Sequence, residues 1–209
     1  MLRSFSAATM RRMTEDVAGF WDAQAADFDD EPDHGLRDAT VYAAWKRLLL
    51  AEMPAAPASV VDLGCGTGSL SVLIASAGYS VVGVDIAPRM IEAARGKATA
   101  AAVDARFFVA DAAAPGLAHR AFDVVLARHV LWAMPDIDAA IAEWVALLRP
   151  GGRLVLVEGR WHTGAGLTAS DTEGVVRRYR GEANVSVLDA ADLWGGPITD
   201  ERYLVISRW

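Results

Sequence analysis

Asp85 is a lone carboxylate at the end of the apolar run Val81-Val82-Gly83-Val84, and ahead of it Asp62-Leu63-Gly64-Cys65-Gly66-Thr67-Gly68 sets glycine at every second position. Glycine tolerates positive φ and lets the backbone approach a ligand closely, and an acidic residue about 20 positions beyond such a loop can accept from both hydroxyls of a ribose. Each of these charge-assisted bonds is worth roughly 1.5–3 kcal/mol. The pattern points to a bound nucleoside. A dinucleotide site reads G-x-G-x-x-G, because a pyrophosphate must rest on the helix N-terminus. Here the third glycine comes one residue early and Asp62 precedes the loop. Cys65, the single cysteine, reads as a small apolar loop residue rather than a reactive thiol.

A carboxylate and a glycine loop meet only if parallel strands carry both to one edge of a sheet, and apolar runs alternating with helical patterns supply that arrangement. Strands are expected over 58–63, 80–85, 105–109, 122–127 and 153–158, with helices over 68–77, 88–97 and 136–148. Gly78 closes the first of these helices, Pro88 opens the second, and Arg149-Pro150-Gly151-Gly152 stops the third. The tail differs. A short helix over 168–180 leads to strand candidates at 185–189 and 202–208, joined through Gly195-Gly196-Pro197 and compatible with an antiparallel hairpin. Two further helices, 14–27 and 38–53, are placed to cover the ligand end of the strands.

In open α/β sheets ligands bind beyond the carboxyl ends of the strands. Those positions are Asp85-Ile86, Asp111-Ala112, Arg128-His129 and Glu158-Gly159. The set, with its D-x-G-x-G-x-G loop, resembles the class I S-adenosylmethionine-dependent methyltransferases, closest to the ubiquinone/menaquinone-biosynthesis-like (methyltransferase type 11) group acting on small molecules. The resemblance spans about 20–158 and includes Phe122-Asp123-Val124-Val125 and Leu148-Arg149-Pro150-Gly151-Gly152. It implies a Rossmann-like sandwich with a seven-stranded, mostly parallel sheet and an antiparallel C-terminal hairpin. Residues 1–55 would then form the cover helices and 56–209 the core of a single domain.

By the same resemblance the cofactor is S-adenosyl-L-methionine. Asp85 takes its ribose, Ile86 and Met90 pack on its adenine, and Asp111 with the Ala112 backbone contacts the ring edge. The backbone of Asp62, Gly64 and Gly66 holds the methionine portion, with Cys65, Gly68 and Arg128 completing the shell. Phe20-Trp21-Asp22 and Ala26-Asp27-Phe28-Asp29 resemble the group's aromatic segment, so Phe20 and Phe28 are expected over the cofactor, Phe28 standing where tyrosine is more usual. Taken singly, Ile86 and Met90 also suit an ordinary core, and Asp111 suits a turn cap.

Composition sets the bounds. With 209 residues, 53% hydrophobic and 22% charged, one globular domain can bury a full core. A formal net charge of −7 argues against a nucleic-acid partner, which needs a basic surface. No run approaches the ~20 apolar residues of a membrane span, and Met1 to Met13, with Arg3, Arg11 and Arg12, lacks the apolar stretch of a secretory leader. A reducing, cytoplasmic location is expected, with no membrane partner. Arg177, Arg178 and Arg180 beside Glu173 and Glu182 read as a solvated helix face. No His/Asp/Glu grouping has ligand spacing along the chain, so no metal is expected.

A sulfonium methyl is already an activated electrophile, which leaves the protein to position an acceptor in line with the bond that breaks. A general base adds about 10²–10⁴-fold for a hydroxyl acceptor. Of the four histidines, His129 in Ala127-Arg128-His129-Val130-Leu131-Trp132 and His34 in Asp33-His34-Gly35 are the catalytic candidates. Trp132, Trp161 and His162 are candidate walls of a substrate pocket, and His119 falls in a surface loop. The expected reaction is direct methyl transfer to a small molecule, O-methylation first, with N- and C-methylation open. Two alternatives stand beside it. One is a protein that binds the cofactor or its product without turnover, and the other is an NAD-dependent oxidoreductase, against which the glycine spacing and the lack of a Tyr-x-x-x-Lys dyad argue.

Overall fold

The computed structural model describes residues 7–208; Met1 to Ser6, at the start of the stretch weighed as a leader, and Trp209 lie outside the described residues. Each expected strand forms where an apolar run is bounded by breakers. The strands are β1 (Ser59–Leu63), β2 (Ser80–Asp85), β3 (Ala105–Val109), β4 (Phe122–Arg128), β5 (Leu148–Arg160), β6 (Asn184–Val187) and β7 (Glu201–Arg208). They make one seven-stranded sheet in the order β3-β2-β1-β4-β5-β7-β6. The pairs among β1 to β5 are parallel, and β7 runs antiparallel to both β5 and β6.

Parallel strands covered on both faces must be apolar at nearly every position, and alternate residues then feed two cores. Val60, Val124, Val155 and Leu204 point into one core, Val61, Val125, Leu154 and Val205 into the other. Helices α4 (Ser69–Ser76) and α5 (Pro88–Ala100) follow the first two strands, and α6 (Ile137–Leu147) follows the fourth. Asp136 caps α6 by accepting from the Ala139 amide at 3.0 Å, and Pro88 occupies the first turn of α5.

Three expectations need correction. Arg149-Pro150-Gly151-Gly152 does follow the end of α6, but β5 begins at Leu148 rather than at 153 and takes these residues in, because Phe122 pairs with Leu148 and the register then shifts, so that Val124 pairs with Arg153. Gly151 at φ 80 carries the excursion. Arg180 is not a solvated side chain: in α7 (Ala169–Arg180) it is buried, donating to the Gly152 carbonyl at 2.6 Å and to Ser207 Oγ at 3.0 Å. Arg177 and Arg178 are exposed as expected, paired with Glu173 and Asp138.

The cover also differs in kind. The helices are α1 (Ala7–Gln24) and α3 (Ala39–Glu52), and between them stand a 3₁₀ turn (Phe28–Asp30) and one turn of helix, α2 (Pro32–Gly35). The 3₁₀ turn reaches the glycine loop, with Phe28 against Gly66 and Asp29 bonded to Thr67, and α2 packs behind it. Trp45 of α3 is fully buried and donates its indole N–H at 2.7 Å to Leu193 in a further short helix, α8 (Ala191–Trp194). No helix among the described residues is long and apolar enough to cross a membrane.

Candidate functional site

The loop after β1 turns on three glycines in the left-handed region, Gly64 at φ 66, Gly66 at φ 54 and Gly68 at φ 78. Each also meets a side chain where a Cβ would stand. Val130 packs on Gly64, Phe28 lies 3.1 Å from the Gly66 position and Ala94 lies 2.7 Å from the Gly68 position. Cys65 stays a thiol, its pKa pushed up by burial.

Asp85, 8% exposed, is oriented by this loop. Its Oδ2 accepts from the Gly66 amide at 2.9 Å and its Oδ1 from the Ala87 amide at 2.9 Å. Burial raises its pKa, and the two amides oppose that rise. Each carboxylate oxygen keeps a further lone pair, so Asp85 can still accept two vicinal hydroxyls. That donor-acceptor balance fits the ribose of S-adenosylmethionine.

The neighbouring expected contacts are mixed. Ile86 and Asp111 are half-buried, and Ala112 is buried with its carbonyl accepting from Trp144 Nε1 at 2.8 Å. Asp111 Oδ1 accepts from the Ala113 amide at 2.8 Å, the turn cap weighed above. Met90 is a core side chain. The Asp62 carboxylate turns away from the loop to the Ser71 hydroxyl at 2.6 Å, and burial pushes its pKa up to about 6. Phe20 is 58% exposed and touches Trp21 edge-on, so the ring over the loop is Phe28.

Phe28 is held there by a cluster that the sequence did not reveal. Lys97 donates to Asp29, Thr67 and Ser69 at 2.8, 2.7 and 2.6 Å, and the Thr67 hydroxyl donates to Asp29 at 2.5 Å. Arg128 donates to the Asp33 carbonyl and lies 5.0 Å over the Trp45 ring. Its visible partners are thus in the covering segment. Asp29 closes the aromatic segment named above and Lys97 ends an expected helix, but nothing along the chain paired them.

His34 stacks on Phe28 with ring centroids 4.3 Å apart. His129 follows β4 at φ 59, its amide donating to the Val157 carbonyl at 2.8 Å. Next to it, Glu158 Oε1 accepts from the Val130 and Leu131 amides at 2.9 and 2.7 Å, and burial pushes the Glu158 pKa up to about 8. Burial, with Arg128 and Arg202 nearby, holds His129 well below the ordinary imidazole range. Burial also lowers His34, against the pull of Asp33. The fold brings the two catalytic candidates together: one nitrogen of each and a carboxylate oxygen of Asp33 lie within 4.8 Å of one another.

Trp161 meets His129 edge-on at 5.2 Å and Trp132 at 5.6 Å, while Trp194, unforeseen, stacks on His129 at 6.0 Å. His162 departs from the expected wall: it is 79% exposed, beside Asp200. His119 is at the surface as expected. A cavity of about 370 Å³, lined by Tyr42, Ser69, Leu73 and Lys97, opens among α3, α4 and α5 and not at the strand ends.

Residues 61–156 match the family described as a methyltransferase domain. A demethylmenaquinone methyltransferase from Thermus thermophilus is 38% identical over 117 residues, 54% of this chain and 53% of that protein. Another from Renibacterium salmoninarum is 30% identical over 182 residues, 87% of this chain and 74% of that protein. The chain spans about half the length of the first curated relatives it matches, 53% to 56%. A solved structure of a TehB-like SAM-dependent methyltransferase from Corynebacterium glutamicum shares the fold, with a TM-score of 0.63 at 23% identity over 94% of this chain and 98% of that one.

Proposed function

The chain belongs to the class I S-adenosylmethionine-dependent methyltransferases, and from that premise we propose that it methylates a small-molecule acceptor, at oxygen in preference to nitrogen or carbon. The observation that carries the reading is Asp85, whose two oxygens are each oriented by one amide and each left with a lone pair for a ribose hydroxyl. When bound, S-adenosylmethionine supplies a methyl group already activated for in-line displacement. Gly64, Cys65, Gly66 and Gly68, with the Asp62 backbone, would lie along it on one side. Ile86, Asp111 and Ala112 would lie at the adenine, and Phe28 and Arg128 would close the methionine end.

His129 and His34 are held neutral, so each offers a lone pair to an acceptor hydroxyl. A neutral imidazole in that position takes the hydroxyl proton as the new O–C bond forms, a contribution of about 10²–10⁴-fold. Trp132 and Trp161, set edge-on beside His129, give an aromatic corner that suits a ring. The names of the relatives, demethylmenaquinone methyltransferases, favour a quinone-like acceptor. The reading includes a single methyltransferase domain, a cytoplasmic location, and neither nucleic acid nor membrane as partner, supported by the net charge of −7.

Calorimetric titration with S-adenosylmethionine, S-adenosylhomocysteine and NADH tests it. Binding of the first two without NADH is expected, and His129→Ala should then lower turnover on a quinol-type acceptor while sparing cofactor affinity. NADH binding alone would overturn the reading.

A further inference from the structure

Asp33, His34 and His129 are brought together from two distant parts of the chain, and each is held by contacts outside the trio. The Asp33 carbonyl accepts from Arg128, and Asp33 Oδ2 lies 3.7 Å from His34 Nε2. The His34 ring is set by its stack on Phe28. The His129 ring is set between Trp161 and Trp194, on a backbone fixed at positive φ. His34 Nδ1 and His129 Nε2 are both buried from solvent and without a hydrogen-bond partner. Buried polar atoms are nearly always satisfied, so the orphaned nitrogens call for partners, and one nitrogen of each ring lies within 4.8 Å of a carboxylate oxygen of Asp33.

We propose that Asp33, His34 and His129 form a site for one first-row divalent transition cation such as zinc, cobalt or iron(II). Two imidazoles and one carboxylate are the donor set that suits these ions, whereas calcium and magnesium prefer oxygen throughout. Neutral imidazole is the ligating form. The Arg128 guanidinium opposes a nearby cation, and Asp33, Asp62 and Asp29 around it offset that charge. Metal–ligand bonds of about 2.0–2.2 Å require the donors to close in from their present spread, a shift on the order of an ångström. The trio was invisible along the chain because the two histidines lie on different elements.

Three protein ligands leave a coordination position for water or for an acceptor oxygen. This use, unlike the binding itself, rests on the methyl-transfer reading. A nitrogen that holds the cation is no longer a base. The ion would instead lower the pKa of the acceptor hydroxyl, whose proton then passes to water.

The test uses untagged full-length protein, freed of metal by chelation and titrated with Co2+ and then Zn2+. One equivalent of Co2+ should raise visible d–d absorption that Zn2+ displaces. Asp33→Asn, His34→Gln and His129→Gln should each weaken binding by about tenfold or more, and His119→Ala should leave it unchanged. S-adenosylhomocysteine titration of each variant checks that it is folded, and Asp33→Asn, which keeps the size of the side chain, covers the case in which a histidine variant is not. No uptake by the unaltered protein, or uptake that survives loss of both histidines, overturns the site. S-adenosylhomocysteine binding without cation uptake overturns the site alone. Cation uptake that depends on the trio, without S-adenosylhomocysteine binding, upholds the site and overturns the methyl-transfer reading.

Discussion

The Lys97 ammonium meets the Asp29 carboxylate at 2.6 Å and so ties α5 to the turn that lies on the glycine loop. Both side chains are largely shielded, at 27% and 15% exposure, and burial lowers the Lys97 pKa against the pull of Asp29. An ion pair in this position is a fastening between two elements with no backbone pairing of their own.

Lys97→Met is expected to leave Asp29 without its cation and to destabilise the fold by about 1–3 kcal/mol. Urea unfolding should show a lower midpoint, and proteolysis should nick segment 28–36 faster. An unchanged midpoint with unchanged cleavage would remove the fastening role.

Asp85→Ala should weaken S-adenosylhomocysteine by about 10–100-fold, the loss of one or two charge-assisted bonds. Asp85→Asn keeps an acceptor for one amide and should fall between. Equal affinity in all three proteins would mean that the ribose is held elsewhere.

Burial holds Glu158 at about 8 against its ordinary 4.5. Between those values the unfolded chain ionises the group while the folded chain keeps it protonated. Its contribution to stability is therefore complete below the window and is lost as pH rises through it, at up to about 1.4 kcal/mol per pH unit. Asp62, raised from 3.8 to about 6, acts with the same sign lower down. Glu158→Gln retains a carbonyl acceptor for the Val130 and Leu131 amides, so its stability should fall less steeply across that window. Parallel pH profiles for the two proteins would contradict this.

Gly68→Ala combines a strained φ of 78 with a Cβ 2.7 Å from Ala94, whereas Gly116 has φ 66 and open space around it. Gly116→Ala should cost about 1 kcal/mol and Gly68→Ala about 2–4 kcal/mol, the excess measuring the contact of loop with α5. Thermal or urea unfolding of the pair reads the difference directly.

The central strands were legible because β1, β2 and β4 are nearly unbroken apolar runs between breakers; β2 and β3 fall at the expected bounds. Bounds slipped where tertiary structure overrides local signals. Pro150-Gly151-Gly152 follows the helix end that it signals in sequence, yet the sheet also takes it in as an irregularity between β4 and β5. Arg180 looked like its neighbours because helical position alone does not say which face meets Ser207 and Gly152. The site divides in the same way. Asp85 and the glycines announced themselves through spacing within one βαβ unit, while Asp29 with Lys97, and His34 with His129, meet only after the sheet has folded. Non-local pairs of this kind leave no period or motif behind.

The placement of β7 between β5 and β6 has a kinetic consequence. Among the described residues β6 pairs with β7 alone, so during synthesis it emerges with no strand to join. Until β7 arrives, the edge of β5 at Leu154, Val155, Leu156 and Val157 is open, a sticky apolar border of the sort that recruits other chains. Closure of that border waits for β7, the last of the seven described strands. The final strand is in effect a wedge that seals the sheet and hands the edge to the short, polar-flanked β6.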